Sequence, residues 1–225
     1  MAMPPEQTFE DTHRMVNPDL AGGALLDLGV YSLTWIFQTL YTTQQKPQAP
    51  SVQSTLRAYK TGADEHTSML LTFPRKEGGD AHGIATTSMR VAADPDKKGT
   101  AGPSIRIQGA EGEIQVWHPA FRPSRTRLIL QDGTVEEKTW EFPGPGKGSG
   151  WKNGFGGSFQ EEGEGQGMFW EADEVAFALR EGRKEGRYES LQESLEIMRV
   201  MDTVREQNGV RYPEKIETVE YPVEL

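Results

Sequence analysis

The stretch AGGALLDLGVYSLTWI, residues 21–36, decides the fold. Two glycines open it, and apolar residues then recur at helical spacing, which predicts a helix whose apolar stripe consists of Leu26, Val30, Leu33, Phe37 and Leu40. Asp27 and Tyr31 interrupt this apolar composition. Because they are four residues apart, both side chains should lie on one helix face, about one turn apart. The pair is therefore a candidate site.

The residues alone leave two explanations of this pair open. Asp27 lies in the first turn of the predicted helix, where unpaired N–H groups and the helix dipole favour a carboxylate. Tyr31 can then be a core side chain with a bonded hydroxyl. Alternatively, both groups face a ligand, and apolar surroundings raise the cost of their charged forms, which is the situation that acid–base catalysis uses.

Composition narrows the class of protein. The 225 residues carry a net charge of −10, which argues against nucleic acids and anionic membrane surfaces as partners, since both bind basic patches. The absence of cysteine excludes disulfides and thiolate metal sites. No apolar run approaches the ~20 residues that span a bilayer, and MAMPPEQTFED does not resemble a signal peptide. We therefore expect a cytoplasmic protein.

Seven strand-like segments follow the predicted helix without helices between them. Several alternate apolar and polar residues, as strands with one exposed face do. The segments are 51–59, 66–73, 83–92, 104–109, 113–117, 126–131 and 134–142. The sequence thus predicts a single α+β domain over 1–225, with an irregular lead-in over 1–20. Its core should be one large, mainly antiparallel open sheet with helices packed on one face.

A glycine-rich stretch, residues 143–167, separates the strands from the C-terminal part. A loop of this length is usually disordered or functional, and both a lid and a disordered segment stay open. Two helices are predicted after it. We expect the last helix to turn towards the core a stripe formed by Leu191, Leu195, Met198 and Met201.

Four segments in this order carry a family likeness. GGALLDLGVY is followed by a sheet containing the turn QGAEGEIQV, and then by GMFWEADEVAFALREGR and SLQESLEIMRVMDTVREQNGVRYP. From about Pro18 to Pro213 the chain resembles the C-terminal domain of the Gfo/Idh/MocA oxidoreductases. It is most similar to the branch of the dimeric dihydrodiol dehydrogenases and NADP-dependent D-xylose dehydrogenases. The resemblance implies a domain for substrate binding and oligomerisation, and we expect a homodimer through the open face of the sheet.

The resemblance also implies roles for individual residues. In this family the helix with the G-G-x-L-x-D-x-G-x-Y motif faces the nicotinamide, and its tyrosine donates or accepts the proton of the substrate hydroxyl. These positions correspond to Tyr31 and Asp27, which we predict as catalytic residues acting on a small-molecule substrate. Candidates for binding that substrate are His13, Arg14, Trp35, Trp151 and Lys152.

Family enzymes also possess a Rossmann domain with a G-x-G-x-x-G turn, and an E-K-P segment whose lysine pairs with the tyrosine. The predicted helix begins at residue 21, and no window of 143–167 fits the glycine motif. Glu214 and Lys215 are followed by Ile216 instead of proline. We therefore expect the chain to lack the Rossmann domain and to bind no cofactor. The histidines have no ligand-like spacing, so we expect no metal site.

These observations lead to one main interpretation and two alternatives. The main one is a cofactor-independent enzyme in which Tyr31 and Asp27 isomerise, cyclise or dehydrate a small oxygenated, ring-containing metabolite, or eliminate a group from it. The first alternative is a fragment or subunit of an NADP-dependent dehydrogenase of this family whose cofactor domain lies elsewhere. The second is a non-catalytic module for ligand binding or dimerisation.

Overall fold

The computed structural model describes residues 9–152, 162–163, 165 and 167–220. The chain divides into two compact units, one formed by 1–92 with 192–225 and the other by 93–191. We call them the helix unit and the sheet unit. The single domain expected over 1–225 stays a prediction. Much of the glycine-rich stretch 143–167 lies outside the described residues, so the choice between a lid and a disordered segment also stays open.

The predicted helix begins at Leu25 and consists of three consecutive pieces. Leu25–Gly29 and Phe37–Tyr41 are π-helical turns, and Val30–Ile36, here α1, is α-helical. We call the whole run, 25–41, the first helical segment. The apolar stripe is confirmed at its centre, because Leu33 and Phe37 are fully buried.

The described strands form two antiparallel sheets. Sheet A, in the helix unit, has the order β1–β2–β3, and sheet B, in the sheet unit, has the order β4–β5–β6–β7. The strands are β1 (Ser51–Ala58), β2 (Asp64–Phe73), β3 (Ala81–Ser88), β4 (Ile105–Gly109), β5 (Gly112–Val116), β6 (Arg125–Leu130) and β7 (Val135–Thr139). The α+β class and the antiparallel pairing are confirmed. The one large sheet expected from the sequence is instead two sheets, and the segment that joins β3 to β4, with Pro95 and Pro103, contains no strand.

Besides a short 3-10 helix over Pro18–Leu20, three further α-helices are described: α2 (Met168–Arg180), α3 (Leu191–Gln207) and α4 (Glu214–Glu217). In the helix unit, α3 and the first helical segment share one core with the inner face of sheet A. That core includes Leu33, Phe37, Met69, Leu71, Phe73, Val200 and Val204. Polar contacts reinforce it, since the Nε2 atom of Gln38 donates to the Oε1 atom of the buried Glu193 at 2.8 Å.

The expected core stripe of α3 is wrong at three of its four positions. Leu191, Leu195 and Met198 are exposed, whereas Met201 is buried as expected, together with Ile197, Val200 and Val204. Both sets recur at helical spacing, so the spacing alone did not distinguish them. The buried set is the one that faces the first helical segment and sheet A.

One face of sheet B carries charged and amide side chains across all four strands. Arg106, Gln115, Arg127 and Glu137 stand in one cross-strand row. Arg106 donates from Nε and Nη2 to the two carboxylate oxygens of Glu113 at 2.8 and 2.6 Å. Arg125 and Arg127 both donate to Glu137. Ion pairs between neighbouring strands therefore stabilise this face.

Candidate functional site

The helix face that carries Asp27 and Tyr31 is accessible to solvent. The Tyr31 residue is 44% exposed, and the Asp27 side chain is 33% exposed. Asp27 lies in the π-helical turn Leu25–Gly29, and Tyr31 is the second residue of α1. A π-helical turn holds more residues than the 3.6 of an α-helical turn. A spacing of four residues is therefore close to one full turn in either geometry, which keeps both side chains on the same face.

Arg14 completes this face from the chain before the helix. Its Nη1 atom donates to the Oδ1 atom of Asp27 at 2.9 Å, and its own side chain is 70% exposed. The guanidinium thus holds one carboxylate oxygen while most of its surface stays accessible. Among the five predicted substrate-binding residues, Arg14 therefore contacts the predicted catalytic pair directly.

The other candidates are placed differently. The ring of His13 stacks on the ring of Phe9, with centroids 4.5 Å apart, and its Nδ1 atom accepts from the backbone N–H of Met15 at 3.2 Å. These contacts indicate a role in shaping the loop that carries Arg14. Trp35 is half-buried on α1, one turn beyond Tyr31. Trp151 and Lys152 are exposed and belong to the sheet unit.

The first turn of the helical segment is held by a residue that the sequence did not suggest. Asp64, the first residue of β2, is 1% exposed, and its Oδ2 atom accepts from the backbone N–H of Leu25 at 2.6 Å. Gly23 leaves room for this carboxylate, since a Cβ atom there would overlap the Oδ1 atom of Asp64. In the sequence, the double glycine was the sole sign of this contact. A glycine can mark a place where another group approaches the backbone closely.

A surface cavity of about 450 Å³ lies in the sheet unit. Its walls are one face of α2 and residues 181–188, with the rings of Trp170, Phe177 and Tyr188 among the lining groups. Neither Asp27 nor Tyr31 lines it. This cavity is therefore not a ligand pocket around the two predicted catalytic residues.

The described residues do not fit a dinucleotide. The phosphate cradle of a dinucleotide site is built on a βαβ unit with a parallel sheet, whereas every described strand pair is antiparallel. The N-terminus of α2 follows the glycine-rich stretch but has Glu171 in its first turn, which repels a pyrophosphate.

In the described ranges, no three His, Asp or Glu side chains gather as metal ligands do. None of the described helices combines the length and apolarity that crossing a bilayer demands.

Comparison with known proteins places this helix in a family context. The family model of the GFO/IDH/MocA C-terminal domain matches residues 2–115. A D-xylose 1-dehydrogenase (NADP(+)) of Hypocrea jecorina is 46% identical over 215 residues, which are 95% of this chain and 50% of that enzyme. A trans-1,2-dihydrobenzene-1,2-diol dehydrogenase of Homo sapiens is 31% identical over 201 residues, which are 89% of this chain and 51% of that enzyme.

A solved structure supports the fold. The Bacillus subtilis protein yvaA matches 92% of this chain and 55% of its own, with a TM-score of 0.50 and 11% sequence identity. At this identity the likeness concerns the fold alone. The chain spans about half the length of the curated relatives that it matches.

These relatives correct the main interpretation drawn from the sequence. The hypothesis of a cofactor-independent isomerase, lyase or cyclase is wrong, because the relatives that match nearly the whole chain are dehydrogenases, and one of them uses NADP(+). The hypothesis treated the missing phosphate-binding motif as a loss of redox chemistry. That inference failed because the chain corresponds to only half of each relative. The first alternative, part of an NADP-dependent dehydrogenase, is the one that the comparisons support.

Proposed function

This chain belongs to the GFO/IDH/MocA family through its C-terminal domain, and we propose that it forms the substrate half of an NADP-dependent dehydrogenase. Its substrate would be a hydroxylated ring of the size of a pentose or a dihydrodiol. The observation that carries the proposal is the 46% identity to the Hypocrea jecorina enzyme across 95% of the chain. The described residues do not fit the nucleotide, so we assign it to a separate domain or chain.

In this proposal the exposed helix face handles the substrate oxygen. When a hydroxyl group is oxidised to a carbonyl, its proton must leave the oxygen, and in the reverse direction a proton must return. The Tyr31 hydroxyl, accessible on the first helical segment, moves this proton. Asp27, held by Arg14 at 2.9 Å, accepts a hydrogen bond from a second hydroxyl and orients the ring.

A chimera tests this function. The half of the Hypocrea jecorina D-xylose dehydrogenase that matches this chain is replaced by the chain itself, so that the remaining half supplies the nucleotide site. Formation of NADPH is then followed with D-xylose and with trans-1,2-dihydrobenzene-1,2-diol. We expect turnover of at least one of them, and a loss of about 10²–10⁴-fold in kcat in the Tyr31→Phe chimera.

The control is the unmodified fungal enzyme, assayed under the same conditions. A chimera that folds, as judged by circular dichroism, but turns over neither substrate would contradict the proposal. Turnover that Tyr31→Phe does not change would also contradict it, because the proton would then move through another group.

We further propose that the chain forms a homodimer through the outer face of sheet A. Leu70 and Ile84 are opposite each other in the β2–β3 register, and they are 37% and 78% exposed. Gln53 extends the same cross-strand row onto β1. A monomer gains nothing from exposing apolar side chains side by side, whereas the face of a second copy would cover them.

A further inference from the structure

We infer that Asp64 is a positioning residue that fixes the first turn of the helical segment, and with it the orientation of the Asp27 and Tyr31 side chains. This inference rests on the proposed function. The Oδ2 atom of Asp64 accepts from the backbone N–H of Leu25 at 2.6 Å. Leu25 lies two residues before Asp27, so a shift of the Leu25 backbone moves Asp27 directly. A side chain 39 residues away in sequence therefore holds the start of the site.

The first turn needs an acceptor from outside the helix. The first N–H groups of any helix lack partners within it, and a π-helical turn, which pairs residues five apart, leaves more of them unpaired. Ala24, at the N-cap position, makes no side-chain cap bond. The Asp64 carboxylate takes the place of such a cap, and its charge suits the positive end of the helix.

The double glycine provides the space for this contact. A Cβ atom on Gly23 would overlap the Oδ1 atom of Asp64, and one on Gly22 would lie 2.6 Å from the carbonyl oxygen of Arg14. Gly22 thus allows the loop that carries Arg14 to approach, and Gly23 allows the carboxylate to approach. The glycine pair and Asp64 therefore act together to place Arg14 and Asp27 beside each other.

Sheet A supports the first helical segment at further points. The Oγ1 atom of Thr87 donates to the carbonyl oxygen of Ala24 at 3.3 Å, and the Oγ atom of Ser32 donates to that of Thr86 at 3.2 Å. Burial raises the pKa of the Asp64 carboxyl, and the Leu25 N–H bond opposes this rise. Burying a carboxylate costs free energy of folding unless the group accepts hydrogen bonds. The hydrogen bond from Leu25 is therefore needed to keep the Asp64 carboxylate buried.

The test compares three variants of the full chain. Asp64→Ala removes the acceptor, Asp64→Asn keeps an oxygen that can accept from Leu25, and Glu65→Gln is the matched control. Glu65 is the next residue of β2 and is 3% exposed, but it pairs with Arg90 and Arg57. Hydrogen exchange of amides in 24–31 is measured relative to those of α3. In the chimera described above, kcat and KM are measured for the same variants.

We expect Asp64→Ala to speed exchange selectively in 24–31 and to lower kcat about 100-fold, since a displacement of about 1 Å can cost that much. KM should change much less than kcat. Asp64→Asn should keep both the slow amide exchange in 24–31 and kcat close to their wild-type values. Glu65→Gln should change exchange in 24–31 and in α3 alike, because it disturbs an ion pair that does not touch the helix.

Two results would overturn the inference. In one, Asp64→Ala speeds the exchange of amides in 24–31 no more than it speeds the exchange of amides in α3. The other is an unchanged kcat in Asp64→Ala while Tyr31→Phe abolishes turnover, in which case the proposed function stands and the positioning role is wrong. If Tyr31→Phe is also without effect, the proposed function is wrong, and the exchange data alone decide the role of Asp64. Should Asp64→Ala fail to fold, Asp64→Leu, which also removes the acceptor but fills the buried space, takes its place in the same comparison.

Discussion

The Nη1 atom of Arg14 donates to the Oδ1 atom of Asp27 at 2.9 Å, and this ion pair joins the lead-in of the chain to the exposed face of the first helical segment. Both side chains are accessible to solvent, at 70% and 33%. Exposed pairs of this kind contribute about 0–1 kcal/mol to stability. We therefore assign the pair to the orientation of the carboxylate, and not to the stability of the fold.

This assignment predicts the outcome of Arg14→Ala. The free energy of unfolding should fall by less than about 1 kcal/mol. In the chimera, kcat/KM should fall about 10- to 100-fold, the range that corresponds to the loss of a hydrogen bond to a charged group. Arg14→Lys should recover part of this loss, because lysine keeps the charge but not the planar fork. A drop of several kcal/mol in stability, with kinetics unchanged, would show that the pair is structural.

Tyr31→Phe should leave stability nearly unchanged, because the side chain is 44% exposed. We expect a change within about 1 kcal/mol in chemical denaturation, together with the loss of turnover given above. Tyr188→Phe, at a tyrosine that is 73% exposed and lies outside the first helical segment, is the matched control and should keep full activity. A large destabilisation by Tyr31→Phe would instead make the phenol a structural group.

Gly23→Ala should be strongly destabilising. The new Cβ atom would overlap the Asp64 carboxylate, and φ is +155° at this position. Overpacking and backbone strain each cost about 1–3 kcal/mol, so we expect a loss of about 3 kcal/mol or more. Gly62→Ala is the control: φ is +92° there, but no atom lies within 4 Å of its Cβ position, so strain alone applies.

A double-mutant cycle separates the two contributions at Gly23. In the Asp64→Ala background the overlapping oxygen is gone, so Gly23→Ala should cost clearly less than in the wild-type chain. Denaturant unfolding of the four chains gives the coupling energy. Strictly additive energies would mean that the two residues do not interact in the way described.

Sheet B should lose stability in acid. Arg106, with help from Gln115 and Gln108, lowers the pKa of Glu113 from its ordinary 4.5 to about 2, and Arg125 and then Arg127 lower that of Glu137 likewise to about 2. Since the pKa values fall on folding, this stabilisation is present above pH 4.5 and is lost as the pH falls through about 2. Thermal unfolding measured across this range should show the loss.

The Glu113→Gln/Glu137→Gln double variant should show a smaller fall in thermal midpoint over the same pH range. Glu111→Gln, at an exposed glutamate in the β4–β5 turn, is the control and should behave like the wild-type chain. High salt should weaken the effect, because Arg106 and Glu137 are largely accessible to solvent and ion pairs at such positions are screened. Equal acid sensitivity in all three chains would contradict the role given to these ion pairs.

The proposed homodimer predicts the effect of charge on the outer face of sheet A. Ile84→Lys places a charge at a position that is 78% exposed, so the monomer should tolerate it, whereas the dimer should dissociate. Light scattering measures the mass of wild type and variant over a range of concentrations. Gln53→Lys, at the edge of the same row, should weaken the dimer less. A wild-type chain that is monomeric at all concentrations would rule the dimer out.

Local patterns were enough to predict most elements of the fold. The seven strand-like segments of the sequence correspond to all seven described strands, and the spacing of Asp27 and Tyr31 placed both on one accessible helix face. Contacts between distant segments were not predictable in this way. Nothing in the sequence next to Asp64 links its carboxylate to Leu25, and the buried stripe of α3 depended on which of two equally periodic faces meets sheet A.

The helix unit is completed only by its last part, since 1–92 pack with 192–225. Ile197, Val200, Met201 and Val204 of α3 are members of the same core as the first helical segment. On the ribosome, the first helical segment and sheet A therefore emerge without the apolar side chains of α3 that complete their core, and they stay so while 93–191 are synthesised. The nascent chain must be shielded from aggregation during this interval, and a premature stop codon before residue 197 would yield a product that can never close its core.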